Sequence, residues 1–226
     1  MAEDKIKLWI KGNKYMNGGN VSIANIESLL EGCYHEMGHV LATLHYFPNG
    51  EAVMSISFVK KQNGGFCFYT NYQEIQWSFP SQIEALIMCC IGGGIFQQIK
   101  LLNCKLKKHP VFDVLSYIRL HYGLRKYLIK HTQCPIDGME GDMAYLCNMY
   151  SKILRYKKNL EPLNLEKEKE KTIDLLMPYL NNKKVDELCQ HIVDKIMVNC
   201  GACDTIIEMK EILAYLGGRG SEELRR

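Results

Sequence analysis

Residues 34–41 read Tyr34-His35-Glu36-Met37-Gly38-His39-Val40-Leu41, and they lie inside a pattern that predicts an amphipathic helix. The apolar positions of this pattern recur three or four residues apart: Ile23, Ile26, Leu29, Leu30, Val40, Leu41 and Leu44. The sequence Phe47-Pro48-Asn49-Gly50 ends the helix. Because residues four apart in a helix lie one turn above each other, His35 and His39 project from the same face.

Two histidines at this spacing can bind one zinc ion. Glu36 lies about 100° around the helix from His35, given roughly 3.6 residues per turn, so its carboxylate can reach a metal-bound water without binding the metal. The same five residues can also occur by chance in an ordinary helix. The apolar flanks, however, predict partial burial of these polar groups, which is costly unless a ligand satisfies them. The sequence therefore favours a zinc site with Glu36 as general base.

The rest of the chain predicts a mainly α fold with a small β-sheet, an α+β class. Residues 53–59 and 66–69 are predicted as a short strand pair, joined through Asn63-Gly64-Gly65. From Ser81 the chain is predicted to be helical almost to its end. The apolar run 85–96 is predicted to be a buried helix that ends at its three glycines, and the last helix is expected from about Thr205 to Leu216. We expect a single domain over 1–226, with a core of about 20–155 and a helical C-terminal extension over 156–226.

Composition excludes several functional classes. With 28 Lys and Arg against 25 Asp and Glu, the net charge of +3 is too small to predict nucleic acid as a partner. The longest apolar run is shorter than the roughly 20 residues that span a bilayer, so no membrane span is expected. The ten cysteines are scattered and residues 1–14 are polar, which favours reduced thiols and a cytoplasmic location. Cys200 and Cys203 are separated by two residues, but a lone pair at this spacing is weak support for metal binding.

Residues 34–41 resemble the Tyr-His-Glu-Ala-Gly-His signature of the peptidase domain of FtsH-type AAA proteases. Three later stretches are similar to that family's segments in the same order: 48–58 to its helix exit and first strand, 91–99 to its Gly-Gly-Arg segment, and 138–143 to its Asn-Asp segment. The resemblance covers about residues 20–155. It implies a zinc metallopeptidase that cuts peptides or unfolded proteins.

A peptidase zinc site needs three protein ligands and one open position, so the two histidines require a third group. Asp113 and Asp142 are the two candidates. Asp142 matches the family segment whose last aspartate binds zinc, whereas the neighbours of Asp113 do not match it. Because surface insertions cost little loop entropy, we favour Asp142 over the better-spaced Asp113. The expected ligand set is His35, His39 and Asp142.

The chain also departs from the family. Gly94, Gln97 and Gln98 stand where the family has Arg and a pair of Glu, so a carboxylate that supports the metal ligands is missing. No phosphate-binding Gly-x-x-x-x-Gly-Lys-Ser/Thr segment occurs, so unfolding of substrates would require a separate ATPase partner. The resemblance leaves open whether the chain forms homo-oligomers. The alternative function is a catalytically inactive zinc-binding pseudopeptidase that binds polypeptides or partner proteins.

The strand near residues 65–69 supports one further expectation. It could present a free edge beside the zinc helix, so that an extended peptide pairs with it and places its scissile carbonyl over the metal. The same strand could equally be an ordinary core hairpin.

Overall fold

The computed structural model describes residues 23–60, 66–72, 80–107, 142, 146, 165–198 and 204–217. Within these residues the chain forms five α-helices and a three-stranded sheet. In chain order the elements are α1 (Ile23–Tyr46), β1 (Val53–Lys60), β2 (Phe66–Tyr72), α2 (Pro80–Lys107), α3 (Leu165–Leu176), a 3-10 turn (Met177–Tyr179), α4 (Lys183–Val198), β3 (Thr205–Glu208) and α5 (Met209–Leu216). The predicted mainly helical fold with a small sheet is confirmed.

Helix α1 is the central element of the fold. Helix α2 packs along it over the largest helix–helix contact, while α4 and β2 lie against other sides. The buried apolar side chains of α1 include Met37, Val40 and Leu41. The helix ends at Tyr46 as predicted, and Gly50 then takes a φ of +76°, a conformation that glycine adopts without steric cost. Residues 35–39 therefore lie in the middle of a helix that packs against α2, α4 and β2.

The sheet has three antiparallel strands in the order β2-β1-β3, where the sequence predicted only a strand pair. Residues Thr205–Glu208, expected to begin the last helix, form β3 and pair with Ser55–Phe58 of β1. Alternate residues of β3 are buried, because Thr205 and Ile207 face the core. The C-terminal half is therefore not purely helical, and it completes the sheet.

Helix α2 continues through Gly92-Gly93-Gly94 to Lys107, so the prediction that it ends at the glycines is wrong. A Cβ on Gly38 of α1 would overlap the carbonyl oxygen of Gly92, and a Cβ on Gly92 would lie 2.8 Å from the carbonyl oxygen of Gly38. Glycine at both positions allows the two helix backbones to touch. The close packing offsets the roughly 1 kcal/mol that each glycine costs a helix relative to alanine.

A buried lysine joins the C-terminal helices to this pair. Lys100 of α2 is 2 % exposed, and its Nζ donates to the Leu180 carbonyl oxygen at 2.8 Å and to Asp186 Oδ1 at 2.6 Å. The Tyr34 hydroxyl also donates to Asp186 Oδ1, at 3.3 Å. Asp186 on α4 thus accepts hydrogen bonds from Tyr34 on α1 and from Lys100 on α2. Among the helices in the described ranges, none combines the length and apolar character needed to cross a membrane.

Several predictions concern residues outside the described ranges. They are the hairpin loop 63–65, the part of the predicted helical region over 108–164 except Asp142 and Leu146, the alternative ligand Asp113, and the pair Cys200 and Cys203. Asp142 and Leu146 both have helical backbone, and Leu146 is fully buried.

Candidate metal centre

One face of α2 holds both imidazoles of the zinc-binding pattern in place. His39 Nδ1 donates to the Cys89 carbonyl oxygen at 2.6 Å, and His35 Nδ1 donates to Gln97 Oε1 at 3.0 Å. Carbonyl oxygens only accept hydrogen bonds, so each imidazole carries its proton on Nδ1. Nε2 is therefore the atom that each ring would offer to a metal ion, once any proton on that nitrogen is displaced.

The two Nε2 atoms converge on one carboxylate oxygen. Asp142 Oδ2 lies 3.1 Å from His35 Nε2 and 3.4 Å from His39 Nε2. One ligand atom from each of these three residues lies within 4.8 Å of the others. Ligand atoms on a tetrahedral zinc, at metal–ligand distances of roughly 2.0–2.2 Å, are about 3.3 Å apart. The spacing of this group therefore suits a zinc ion bound by two nitrogens and one oxygen.

Gly93 keeps the space between the imidazoles open. A Cβ at this position would overlap His39 Nε2 and lie 2.8 Å from His35 Nε2. Gly93 lies midway between Cys89 and Gln97 along α2, four residues from each, so it lies on the face that holds both imidazoles. Any larger residue would place a side chain between the two Nε2 atoms.

Electrostatics favour a cation at this point. Burial on its own would lower the pKa of His39, but the hydrogen bond and charge of Asp142 and the charge of Glu36 raise it to about 9. Burial would likewise raise the pKa of Asp142, whereas hydrogen bonds from His35 and His39 hold it well below its usual range. The carboxylate is thus ionised and holds a proton on the neighbouring imidazole. A metal ion would take the place of that proton.

Glu36 lies next to the three converging groups without being one of them. It is 6 % exposed, and its Oε2 accepts a hydrogen bond of 2.6 Å from the Thr70 hydroxyl on β2. Among the residues that the structure describes, its other oxygen, Oε1, has no hydrogen-bond partner. Within the described residues, this arrangement leaves one oxygen of the Glu36 carboxylate without a hydrogen bond.

The structure therefore brings together His35, His39 and Asp142, the three residues predicted as ligands, and Glu36 lies on the same helix as the two histidines. Gln97, noted from the sequence as a missing carboxylate, supplies a hydrogen-bond acceptor to His35.

Sequence reasoning missed the parts played by Cys89, Gly93 and Thr70. The spacing of residues 89, 93 and 97 by four could have indicated the supporting face of α2, because it matches the spacing of the two histidines.

Comparisons with known proteins give no relative: no protein-family model matches the chain, and no curated protein does.

Proposed function

We propose that the protein is a zinc-dependent metallopeptidase that hydrolyses peptide bonds in peptides or unfolded proteins. The observation that carries the proposal is the convergence of His35 Nε2, His39 Nε2 and Asp142 Oδ2, with both Nδ1 protons held by α2. Two imidazoles and one carboxylate form a donor set that suits zinc and leaves a fourth position for water. The resemblance of residues 34–41 to the FtsH-type peptidase signature supports the same function.

Each residue of the site has a role in the proposed reaction. Bound zinc would polarise the scissile carbonyl and lower the pKa of its water. Glu36 takes the water's proton on its unpaired oxygen and delivers it to the leaving amine. His35, His39 and Asp142 hold the metal, while Gln97 and the Cys89 carbonyl fix the two rings.

The sheet offers a place for an extended substrate. Strand β2 is at one edge of the order β2-β1-β3, and no strand in the described part of the chain pairs with its outer side. Thr70 in this strand contacts Glu36, so the edge runs beside the candidate base. A peptide added to β2 would gain backbone hydrogen bonds along an edge that passes close to the metal position.

The second candidate function is a zinc-binding pseudopeptidase. The observation that favours it is the neutral Gln97 on His35 Nδ1, because a carboxylate there would make the imidazole a stronger metal ligand. Retention of Glu36 favours the enzyme, because a zinc site that only binds a partner has no need of a buried carboxylate beside the metal.

Metal analysis and a cleavage assay decide between these functions. We expect the purified protein to bind one zinc per chain and to cleave unfolded casein, and the Glu36→Gln variant to bind zinc equally well without cleaving. Glu31→Gln makes the same change more than one turn earlier in α1 and serves as the matched control, with wild-type cleavage expected. Zinc binding without cleavage by the wild type would support the pseudopeptidase, and absence of zinc would refute both.

A further inference from the structure

Strand β2 lies on α1 through two side chains of its inner face, Phe68 and Thr70. In the register of the sheet these residues pair with Phe58 and Ile56 of β1. The Phe68 ring packs against the backbone of α1 at Gly32, where a Cβ would lie 2.5 Å from the Phe68 Cε2 atom. Thr70 meets Glu36, four residues further along the helix.

These two contacts have matching spacings. Two residues of a strand advance about 6.6 Å, and four residues of a helix advance about 6.0 Å. Phe68 can therefore pack against Gly32 while the Thr70 hydroxyl reaches Glu36 Oε2 at 2.6 Å. Because Gly32 has no side chain, β2 can approach α1 closely. This close approach brings the Thr70 hydroxyl within hydrogen-bond distance of Glu36.

The hydrogen bond fixes a long side chain at the point where the proposed reaction needs it. Glu36 has three rotatable side-chain bonds, and the Thr70 hydroxyl holds one of its two carboxylate oxygens. Hydrogen bonds to ionised groups are about twice as strong as neutral ones, and this one lies where water has little access. The unpaired Oε1 is consequently held in one direction.

We propose that Thr70 is a positioning residue that links the edge strand to the base. A peptide that pairs with β2 would bind to the same strand that orients Glu36, so docking of the substrate and alignment of the carboxylate depend on one element. This inference rests on the proposed function. A purely structural hydrogen bond would instead contribute to stability and leave the reaction unaffected.

The test compares Thr70→Val, which keeps the β-branched shape and removes the hydroxyl, with Thr70→Ser, which keeps the hydroxyl. For the zinc-loaded protein and a peptide substrate, we expect Thr70→Val to lower kcat about tenfold with KM within twofold of wild type. Thr70→Ser should restore kcat to within about threefold. Thr205→Val makes the same change on the inner face of β3, away from Glu36, and should leave kcat unchanged.

A second readout does not depend on turnover. A peptide hydroxamate binds zinc through its oxygens and places its hydroxyl proton on the base carboxylate. Calorimetry should show about tenfold weaker hydroxamate binding for both Thr70→Val and Glu36→Gln, and wild-type affinity for Thr70→Ser. If Thr70→Val does not fold, Gly32→Ala replaces it, because displacement of Phe68 should misplace the hydroxyl and weaken hydroxamate binding about threefold.

The outcomes separate the inference from the proposed function. Equal hydroxamate affinity and equal kcat in wild type and Thr70→Val would overturn the inference and leave the peptidase intact. A wild-type protein that binds zinc and hydroxamate but cleaves nothing would refute the peptidase, while the hydroxamate affinities would still decide the role of Thr70. A wild-type protein that binds no zinc would overturn both.

Discussion

Gly93 lies directly against the Nε2 atom of His39, so that any side chain at this position would occupy the space between the two imidazoles. The helix crossing next to it depends on Gly38 and Gly92, whose backbones touch. The neighbouring residues Gly92 and Gly93 thus have different structural roles. Gly92 lets the helices approach, and Gly93 leaves room between the two imidazoles.

The Gly93→Ala variant tests this separation. The atoms nearest to its Cβ would be the far ends of two histidine side chains, which can turn away, so the metal-free protein should unfold within a few degrees of wild type. Zinc affinity should fall about 100-fold or more, because the displaced rings no longer converge. Zinc competition titrations and thermal unfolding in the presence of a chelator measure the two effects.

Gly38→Ala is the matched control for that variant. Its Cβ would overlap the carbonyl oxygen of Gly92, which belongs to the backbone and cannot turn away. We expect a clear loss of stability of the metal-free protein, of about 2 kcal/mol or more, as for other overpacked core positions. Equal stability losses in the two variants would contradict the assignment of separate roles.

The third ligand provides a second prediction. Asp142→Asn should weaken zinc binding about tenfold or more, because a neutral amide is a poorer zinc ligand than the carboxylate whose oxygen lies 3.1 Å and 3.4 Å from the two Nε2 atoms. Asp113→Asn, at the alternative position named from the sequence, should leave zinc affinity unchanged. A metal titration in which only the Asp113 variant loses zinc would transfer the ligand role to Asp113.

The fold was predictable where local signals decide it. The end of α1 follows from Pro48 and Gly50, and the hairpin follows from the alternation in β1 and β2, because turn residues and side-chain periodicity act over a few positions. Strand β3 was missed since it has only four residues and depends on pairing with β1, far away in the sequence. The continuation of α2 through its glycines was missed for a similar reason, because only close packing against α1 explains glycines in the middle of this helix.

The candidate site likewise contains residues that the sequence could predict and contacts that it could not. His35, Glu36 and His39 follow from helical spacing alone, and Asp142 required the resemblance of its neighbours to a family segment. The Cys89 carbonyl could not be found from the sequence, because every residue has a backbone carbonyl and only the packing of α1 on α2 selects this one. The departure at Gln97 was interpreted as a lost carboxylate, whereas the structure shows that the acceptor itself is kept.

Gln97 allows a third prediction, in which zinc affinity can rise as well as fall. Gln97→Glu places a charged acceptor on His35 Nδ1 and should strengthen zinc binding severalfold, because a carboxylate partner makes the imidazole a better metal ligand. Gln97→Leu removes the acceptor and should weaken zinc binding by about 10–100-fold. Zinc titration of both variants checks the pair, with Gln98→Leu as a neighbouring control. If the proteins with Glu, Gln and Leu at position 97 bind zinc equally tightly, the contact with His35 has no effect on zinc affinity.

The fourth prediction concerns pH, through the raised pKa of His39. At pH 7 the metal-free protein holds a proton on this imidazole, since its pKa is about 9 against a usual 6.5, while Asp142 is already ionised. Zinc must displace that proton, so its affinity should rise about tenfold per pH unit from pH 7 and flatten near pH 9.

The same proton also stabilises the metal-free protein. A folded-state pKa above the unfolded value means that this stabilisation is complete below about pH 6.5 and is lost as the pH rises through about 9. From pH 7 to 9.5 the metal-free wild type should therefore lose more thermal stability than Asp142→Asn, which lacks the carboxylate that contributes most to holding the proton on His39. Chelator-treated samples of both proteins, melted across this range beside zinc titrations of the wild type, provide the measurement. A zinc affinity that stays level between pH 7 and 8.5 would mean that His39 carries no proton for the metal to displace.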